Sequence, residues 1–217
     1  MTSTSGTTRR RHDHRTRKTE NGINMGTINI RAAIMPKFEA LAELMEKYEL
    51  HYLAIQEAQL NENSLGGLRN RAKKEGYRMF KGKPKDRKGV AVYDSIVLVK
   101  GFATQRDYDT FDTGRISAIT IPTTRKPLTV VNYYGHSGDP KASKVLLEDV
   151  LRQCYKDGMQ WVILGDFNDV YTEGHIHHKR VNGALTCMDE GHETKPPHEG
   201  GIILDFGIMQ TGAELHV

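Results

Sequence analysis

The chain has 217 residues, long enough to bury one sizeable core, and 37% of them are hydrophobic. Two cysteines, Cys154 and Cys187, are too few for a disulfide scaffold and predict a reducing compartment, nuclear or cytoplasmic. No apolar run approaches the roughly 18 residues that a membrane-spanning helix needs, so we expect no role within a membrane.

The net charge of +4 lies entirely in residues 1–24, which hold six basic and two acidic side chains, whereas residues 25–217 hold 25 of each. This first segment has almost no hydrophobic residue before Ile23, so we predict a disordered basic tail followed by one domain over 25–217. Two interpretations of the tail stay open. It contacts nucleic acid or acts as a nuclear signal, or it is a solvated extension without a specific role.

The first half of the chain predicts strands that alternate with helices. In chain order these are a strand over 27–31, a helix that begins at Pro36, a buried strand over 51–56, a helix over 68–75 closed by Gly76, and a strand over 77–80.

After Gly89 the pattern changes to short β-rich runs, which predict neighbouring antiparallel strands. The predicted elements are strands over 89–93, 95–102, 115–121 and 128–134, a helix over 142–154, a buried strand over 161–164, an irregular stretch over 170–200 and a last strand over 202–209. The glycine-rich signatures of nucleotide-binding sheets are missing. We therefore predict an α/β or α+β sandwich of sheets with outer helices.

Polar residues recur at the ends of the best strand candidates, where open α/β sheets tend to bind ligands. They are Asn29, Glu57, Tyr134, His136, Asp166, Asn168 and Asp205. Each alone is explained as a cap or turn former. Together the three carboxylates and two amides form an oxygen-rich set that suits Mg²⁺ or Mn²⁺ and indicates phosphoester cleavage.

Five segments, in this order, resemble the motifs of the endonuclease/exonuclease/phosphatase superfamily. They are Thr27-Ile28-Asn29-Ile30-Arg31, Leu53-Ala54-Ile55-Gln56-Glu57, Val131-Asn132-Tyr133-Tyr134-Gly135-His136, Gly165-Asp166-Phe167-Asn168-Asp169 and Ile203-Leu204-Asp205-Phe206. The similarity is closest to the apurinic-type endonuclease domain of non-LTR (LINE-like) retrotransposons and runs from about Thr27 to the C-terminus. The Gln-Glu and Gly-Asp-Phe-Asn motifs are the most specific.

The resemblance implies a four-layered α/β sandwich, in which two packed, mainly antiparallel sheets are flanked by helices. It implies a metal-dependent endonuclease that nicks DNA, with Glu57 and Asn29 holding Mg²⁺ or, alternatively, Mn²⁺. Asp166 would orient or deprotonate the attacking water, and Asn168 would hydrogen-bond the phosphate. Tyr134 would stabilise the pentacovalent state or assist the leaving group.

One family motif has no counterpart. The family pattern expects Asp205 to orient a histidine from a later Ser-Asp-His motif, which is not present after it; His216 resembles that histidine only faintly. His136 is the better-placed imidazole, as a substrate contact. We therefore expect a C-terminally truncated domain that lacks its last strand, with activity reduced or lost and affinity for metal and phosphate retained.

Two alternatives to an active DNA endonuclease stay open. One is an inactive fragment that only binds nucleic acid or metal, and the other is a superfamily phosphatase that acts on a small phosphoester. The histidines of residues 175–198 match no established zinc-ligand spacing and are interpreted as a polar surface loop. Arg115 either faces the active-site side, as in relatives, or faces solvent.

Overall fold

Two β-sheets packed face to face form the centre of the fold, and helices cover their outer faces. The computed structural model describes residues 23–110, 112–123 and 126–168, together with strands over 185–187 and 205–210. The predicted tail, apart from Ile23 and Asn24, lies outside the described residues, as do His216 and the histidines of residues 175–198. No described helix is long and apolar enough to cross a membrane.

The helices and strands follow one another in the predicted order. They are β1 (Met25–Asn29), α1 (Ile34–Lys47), β2 (Tyr52–Gln56), β3 (Leu60–Asn61), α2 (Glu62–Lys74), β4 (Tyr77–Lys81), β5 (Lys85–Arg87), β6 (Val90–Tyr93), β7 (Ile96–Lys100), β8 (Thr104–Arg106), a 3₁₀ turn (Thr113–Arg115), β9 (Ile116–Ile121), β10 (Leu128–Tyr134), α3 (Pro140–Asp157), β11 (Gln160–Asp166), β12 (Leu185–Cys187) and β13 (Asp205–Gln210). The structure adds four short strands to the predicted set, β3, β5, β8 and β12.

The first sheet has the strand order β1-β2-β7-β4, and the second sheet has the order β12-β13-β11-β10-β9-β8. Each contains one parallel pair, β1 with β2 and β10 with β11, and the other pairs are antiparallel. A small third sheet has the order β3-β6-β5. The prediction of two mainly antiparallel sheets in a helix-flanked sandwich is confirmed; the third sheet was not predicted.

Alternation along each central strand fills two layers of core at once. In β2, Leu53 and Ile55 pack under α1 and α2, whereas Tyr52 and Ala54 face the second sheet. In the second sheet, Val130 and Val162 fill the space between the sheets, and α3 packs on the opposite face. Because these strands are buried on both faces, their sequences are continuous apolar runs rather than alternating ones.

The helix ends follow local capping rules. Asp139 accepts a hydrogen bond from the backbone N–H of Ala142 at 3.0 Å, Pro140 opens α3, and Gly158 ends it in a left-handed conformation. Helix α2 begins six residues earlier than the predicted residue 68. The Asn61 side chain caps it by accepting from Ser64, and Gly66 and Gly67 lie inside it, where such poor helix formers predict a turn.

Three other sequence predictions differ from the structure. Strand β1 ends at Asn29 rather than continuing to Arg31, because Arg31 adopts a left-handed backbone with φ of 48°. The stretch predicted as irregular over 170–200 contains β12, and the short edge strand β8 was not predicted. Short edge strands carry little alternation, so the sequence pattern does not reveal them.

A glycine in β11 allows the close approach of β10 and β11 within the second sheet. A Cβ on Gly165 would lie 1.8 Å from the carbonyl oxygen of Tyr133, and its φ of +152° disfavours other residues. We expect Gly165→Ala to lower the free energy of unfolding by about 3 kcal/mol, the upper range for overpacking. Urea denaturation measures this change.

Gly66→Ala is the matched control, because no atom lies within 4 Å of the added methyl group and the site is inside a helix. It should raise the free energy of unfolding by about 0.5–1 kcal/mol. Equal effects of the two substitutions would contradict the role given to Gly165.

Candidate active site

The predicted polar residues meet at one edge of the sandwich, where the two parallel strand pairs end. Asn29 is the last residue of β1, and Glu57 directly follows β2. Tyr134 and Asp166 are the last residues of β10 and β11. Because parallel strands present their carboxyl ends at the same edge, each sheet contributes half of the site.

The side chain of Asn29 joins these two halves. Its Nδ2 donates to Oε1 of Glu57 at 2.8 Å and to Oδ2 of Asp166 at 2.7 Å. Its Oδ1 accepts from the backbone N–H of Arg31 at 3.1 Å, which fixes the orientation of the amide. Two carboxylates that would otherwise repel each other are thus held around one donor.

Asp166 is the buried carboxylate of the site, with 3% of its surface exposed. Its Oδ1 accepts a hydrogen bond from the backbone N–H of Asn168 at 3.0 Å. Burial raises the pKa of Asp166 above its ordinary value, while the hydrogen bonds from Asn29 and Asn168 oppose the rise. A carboxylate with a raised pKa is a stronger base than an exposed one.

Tyr134 contacts the other carboxylate. Its hydroxyl donates to Oε1 of Glu57 at 2.9 Å, and the Arg115 guanidinium carbon lies 4.4 Å from its ring centroid. Burial and the bond to Glu57 raise the pKa of Tyr134 to about 12. At neutral pH this residue is therefore a hydrogen-bond donor.

Asn168 and Arg115 converge on a single backbone carbonyl. Asn168 Nδ2 donates to the oxygen of Gly135 at 3.0 Å, and Arg115 Nη1 donates to the same oxygen at 2.8 Å. A Cβ on Gly135 would lie 2.2 Å from the carbonyl oxygen of Phe167, so this close approach requires glycine. Of the two alternatives for Arg115, the structure supports the position on the active-site side.

Three residues at this edge have left-handed backbones, although none is glycine. Arg31, Glu57 and Asn168 have φ values of 48°, 52° and 47°. Such conformations cost on the order of 1–3 kcal/mol in sparsely populated regions and concentrate at functional sites. Each lies one or two residues beyond a strand end, where the chain turns sharply away from its sheet.

His136 belongs to a charged cluster next to the carboxylates, which we name the Asp112 cluster. Oδ2 of Asp112 lies 3.0 Å from Arg115 Nε, 3.3 Å from Lys85 Nζ and 3.5 Å from His136 Nε2. Burial and the charge of Arg115 lower the pKa of His136, and Asp112 opposes this effect. His136 and Arg115 are predicted from sequence, whereas no sequence signal points to Lys85 or Asp112.

Asp205 is placed only by its backbone. It is the first residue of β13, and its Cα is paired with that of Asp166 in the antiparallel register. This position agrees with the predicted edge, but the Asp205 side chain lies outside the described part of the structure.

The donor set can be tested for its fit to a metal. Among the described residues, no group of three or more His, Cys, Asp and Glu side chains could hold a metal ion. Mg²⁺ usually keeps several waters and needs only one or two carboxylates, and Glu57 and Asp166 supply these. The Asn29 oxygen accepts from Arg31 and its Nδ2 faces both carboxylates, so this amide would become an oxygen ligand only by rotating. The residues therefore fit Mg²⁺ or Mn²⁺ and do not fit a structural zinc site.

The fold and this edge define a member of a hydrolase superfamily, and the sequence comparison agrees. Residues 26–212 match the Endonuclease/Exonuclease/phosphatase family, and the chain belongs to that family. No curated protein is significantly similar to the chain.

Solved structures of the same fold include nucleases and phosphatases. The endonuclease domain of TRAS1, a telomere-specific non-LTR retrotransposon, is 20% identical with a TM-score of 0.64, covering 88% of this chain and 85% of that one. An AP endonuclease from Archaeoglobus fulgidus is 14% identical with a TM-score of 0.60, covering 88% and 86%. The 3′ phosphatase NExo from Neisseria, bound to a product DNA hairpin, is 13% identical with a TM-score of 0.61, covering 88% and 86%.

The Asp112 cluster predicts how His136 titrates. Because the Asp112 carboxylate favours the charged imidazole, while Arg115 and Lys85 disfavour it, Asp112→Asn should lower the pKa of His136 further. Titration of the imidazole signals by NMR measures this, with His136→Gln identifying the resonance. A pKa that rises in Asp112→Asn would contradict the geometry of the cluster.

Proposed function

We propose that this protein is a magnesium-dependent endonuclease that nicks DNA by attack of a water molecule on a backbone phosphodiester. The observation that carries the proposal is the bridge from Asn29 to Glu57 and Asp166, because it gathers a metal-binding carboxylate and a basic carboxylate around one point. Retrotransposon and apurinic-type endonucleases among the proteins of the same fold support DNA as the substrate.

Glu57 and Asn29 would hold the metal, and the Asn29 amide would turn its oxygen away from Arg31 to do so. When bound there, Mg²⁺ or Mn²⁺ would neutralise charge on the scissile phosphate. The Glu57 carboxylate already lies within hydrogen-bond distance of Asn29 and Tyr134, so the residues of the predicted site surround one small volume.

Asp166 would orient the attacking water and accept its proton as the oxygen–phosphorus bond forms. Its burial and raised pKa suit that role. Asp205, paired with Asp166 through the backbone, stays a predicted catalytic residue whose expected role is to orient a histidine.

Neutral donors would stabilise the charge that develops on the phosphate oxygens. The Asn168 side-chain amide donates one N–H to the Gly135 carbonyl and carries a second N–H, and Tyr134 carries a hydroxyl that stays protonated at neutral pH. Donation from Tyr134 would stabilise the pentacovalent state or assist the departing oxygen. His136 would contact the substrate from the Asp112 cluster.

Cys154 is a free, buried thiol, which fits the proposed nuclear or cytoplasmic compartment.

Nicking of supercoiled plasmid DNA tests the assignment. Glu57→Gln and Asp166→Asn should each reduce the rate by roughly 10²- to 10⁴-fold, because each removes a charge on which the chemistry depends. Glu43→Gln, on the exposed surface of α1, is the matched control and should nick at the wild-type rate.

Nicking that survives both active-site substitutions would refute the proposed site. A wild-type protein that binds DNA without nicking it would support the inactive-fragment alternative. Hydrolysis of a small phosphoester in the absence of nicking would support the phosphatase alternative.

Metal removal gives a separate prediction. EDTA should abolish nicking, and added Mg²⁺ or Mn²⁺ should restore it, because the oxygen ligands here suit hard divalent cations. Asn29→Ala should raise the Mg²⁺ concentration needed for half-maximal rate by about 10-fold or more, since it also releases Glu57 from its partner. Activity that persists in EDTA would contradict metal dependence.

A further inference from the structure

The two halves of the site are carried by different sheets. The first sheet supplies Asn29 and Glu57, and the second sheet supplies Tyr134, Asp166 and Asn168. A small slide of one sheet over the other would separate Glu57 from Tyr134 and Asn29 from Asp166, which now lie 2.9 Å and 2.7 Å apart. The geometry of the site therefore depends on what fixes the register between the sheets.

Most of the inter-sheet core cannot fix that register. It consists of apolar side chains such as Ala54, Val97, Val130 and Val162. Their burial is strongly stabilising, but hydrophobic contact has no preferred direction. Hydrogen bonds weaken steeply with misalignment, so they define a position that apolar packing does not.

Gln56 and Asn132 provide directional contacts in this core. Both are fully buried, and Gln56 Nε2 donates to Asn132 Oδ1 at 2.6 Å. Asn132, in the second sheet, donates through Nδ2 to two carbonyl oxygens of the first sheet, those of Ile55 at 3.0 Å and Ile96 at 2.9 Å. Gln56 Nε2 also donates to Thr27 Oγ1 at 3.0 Å, which ties in β1.

This buried amide pair lies next to both halves of the site. Gln56 is the last residue of β2 and immediately precedes Glu57. Because the chain turns at Glu57 with a left-handed backbone, the direction of the Glu57 side chain depends on where β2 ends. Asn132 lies two residues before Tyr134 and is paired in register with Leu164, two residues before Asp166. At about 3.3 Å per strand residue, the amide pair is less than one nanometre along each strand from the groups it aligns.

Stability alone does not account for two buried amides. Burying an amide is costly unless it is hydrogen-bonded, and apolar residues of similar shape in both positions can be almost neutral for stability. We propose that Gln56 and Asn132 are positioning residues, which lock the two sheets in the register that brings Glu57 to Tyr134 and Asn29 to Asp166. The catalytic part of this inference rests on the function proposed above.

Gln56→Met, Asn132→Leu and the double variant test the inference. Each single substitution leaves a buried amide without its partner and should lower the unfolding temperature. The double variant should regain part of that loss, the part due to the unpaired amide, because the bonds to Ile55, Ile96 and Thr27 stay lost. Mn²⁺ affinity, measured by electron paramagnetic resonance of the free ion, should fall by about 10-fold or more in all three variants, as for other groups that orient metal ligands. The kcat for nicking should fall with it, while KM for DNA stays near the wild-type value.

The control is Tyr108→Phe. It removes a buried hydrogen bond of 3.4 Å to Cys154 Sγ, which links the segment after β8 to α3 rather than one sheet to the other. Its Mn²⁺ affinity and kcat should stay at the wild-type values. A purely structural role for Gln56 and Asn132 predicts that metal affinity returns together with stability in their double variant, and that result would overturn the proposal.

A crystal structure of the Gln56→Met/Asn132→Leu variant decides the question even if the wild-type protein neither nicks DNA nor binds Mn²⁺. The distances from Tyr134 to Glu57 and from Asn29 to Asp166 should exceed hydrogen-bond length, and their retention would refute the inference. Should this variant not fold, Gln56→Met alone provides the comparison, because it removes the bond to Asn132 while Asn132 keeps its bonds to the first sheet, and the same two distances should then lengthen less. Failure of wild-type nicking or metal binding counts against the proposed function alone.

Discussion

Two carboxylates from different sheets share the amide nitrogen of Asn29. This contact links the strands that carry Glu57 and Asp166, and most other features of the edge are arranged around it. The Tyr134 hydroxyl donates to the same Glu57 oxygen, and the backbone N–H of Asn168 donates to the second Asp166 oxygen. The negative charge of the two carboxylates is thus held by neutral donors within the chain itself.

Several residues that place these groups have conformations that are energetically unfavourable or open only to glycine. Left-handed backbones at Glu57 and Asn168, and glycines at 135 and 165 where no Cβ fits, are unfavourable or restrictive choices within an otherwise regular sandwich. They are supported by two layers of apolar core and by the capped helices outside them. The stable part of the fold thus holds strained turns at the edge in one conformation.

The ends of β2 and β10 could be predicted from sequence because they depend on local pattern, whereas β1 was predicted to run two residues too far. Apolar runs that stop at Glu57 and Asp166 revealed both where the strands end and which polar groups follow them. Contacts across the sandwich could not be predicted, since no local pattern tells which residue of the second sheet Gln56 meets. For the same reason, the contacts of Asp112 with Lys85 and His136 could not be predicted. They join a hairpin, a 3₁₀ turn and a strand end that are far apart in sequence.

The sheets each contain one strand-helix-strand unit, β1-α1-β2 and β10-α3-β11. Both units point the ends of their strands at the same edge, while their helices lie on opposite outer faces of the molecule. Helix α3 also contacts the edge directly, because Ser143 Oγ accepts from the backbone N–H of His136 at 2.7 Å and donates to its carbonyl oxygen at 3.1 Å. Substitutions on the exposed faces of these helices, away from the contacts of Ser143, are therefore expected to leave the edge in place.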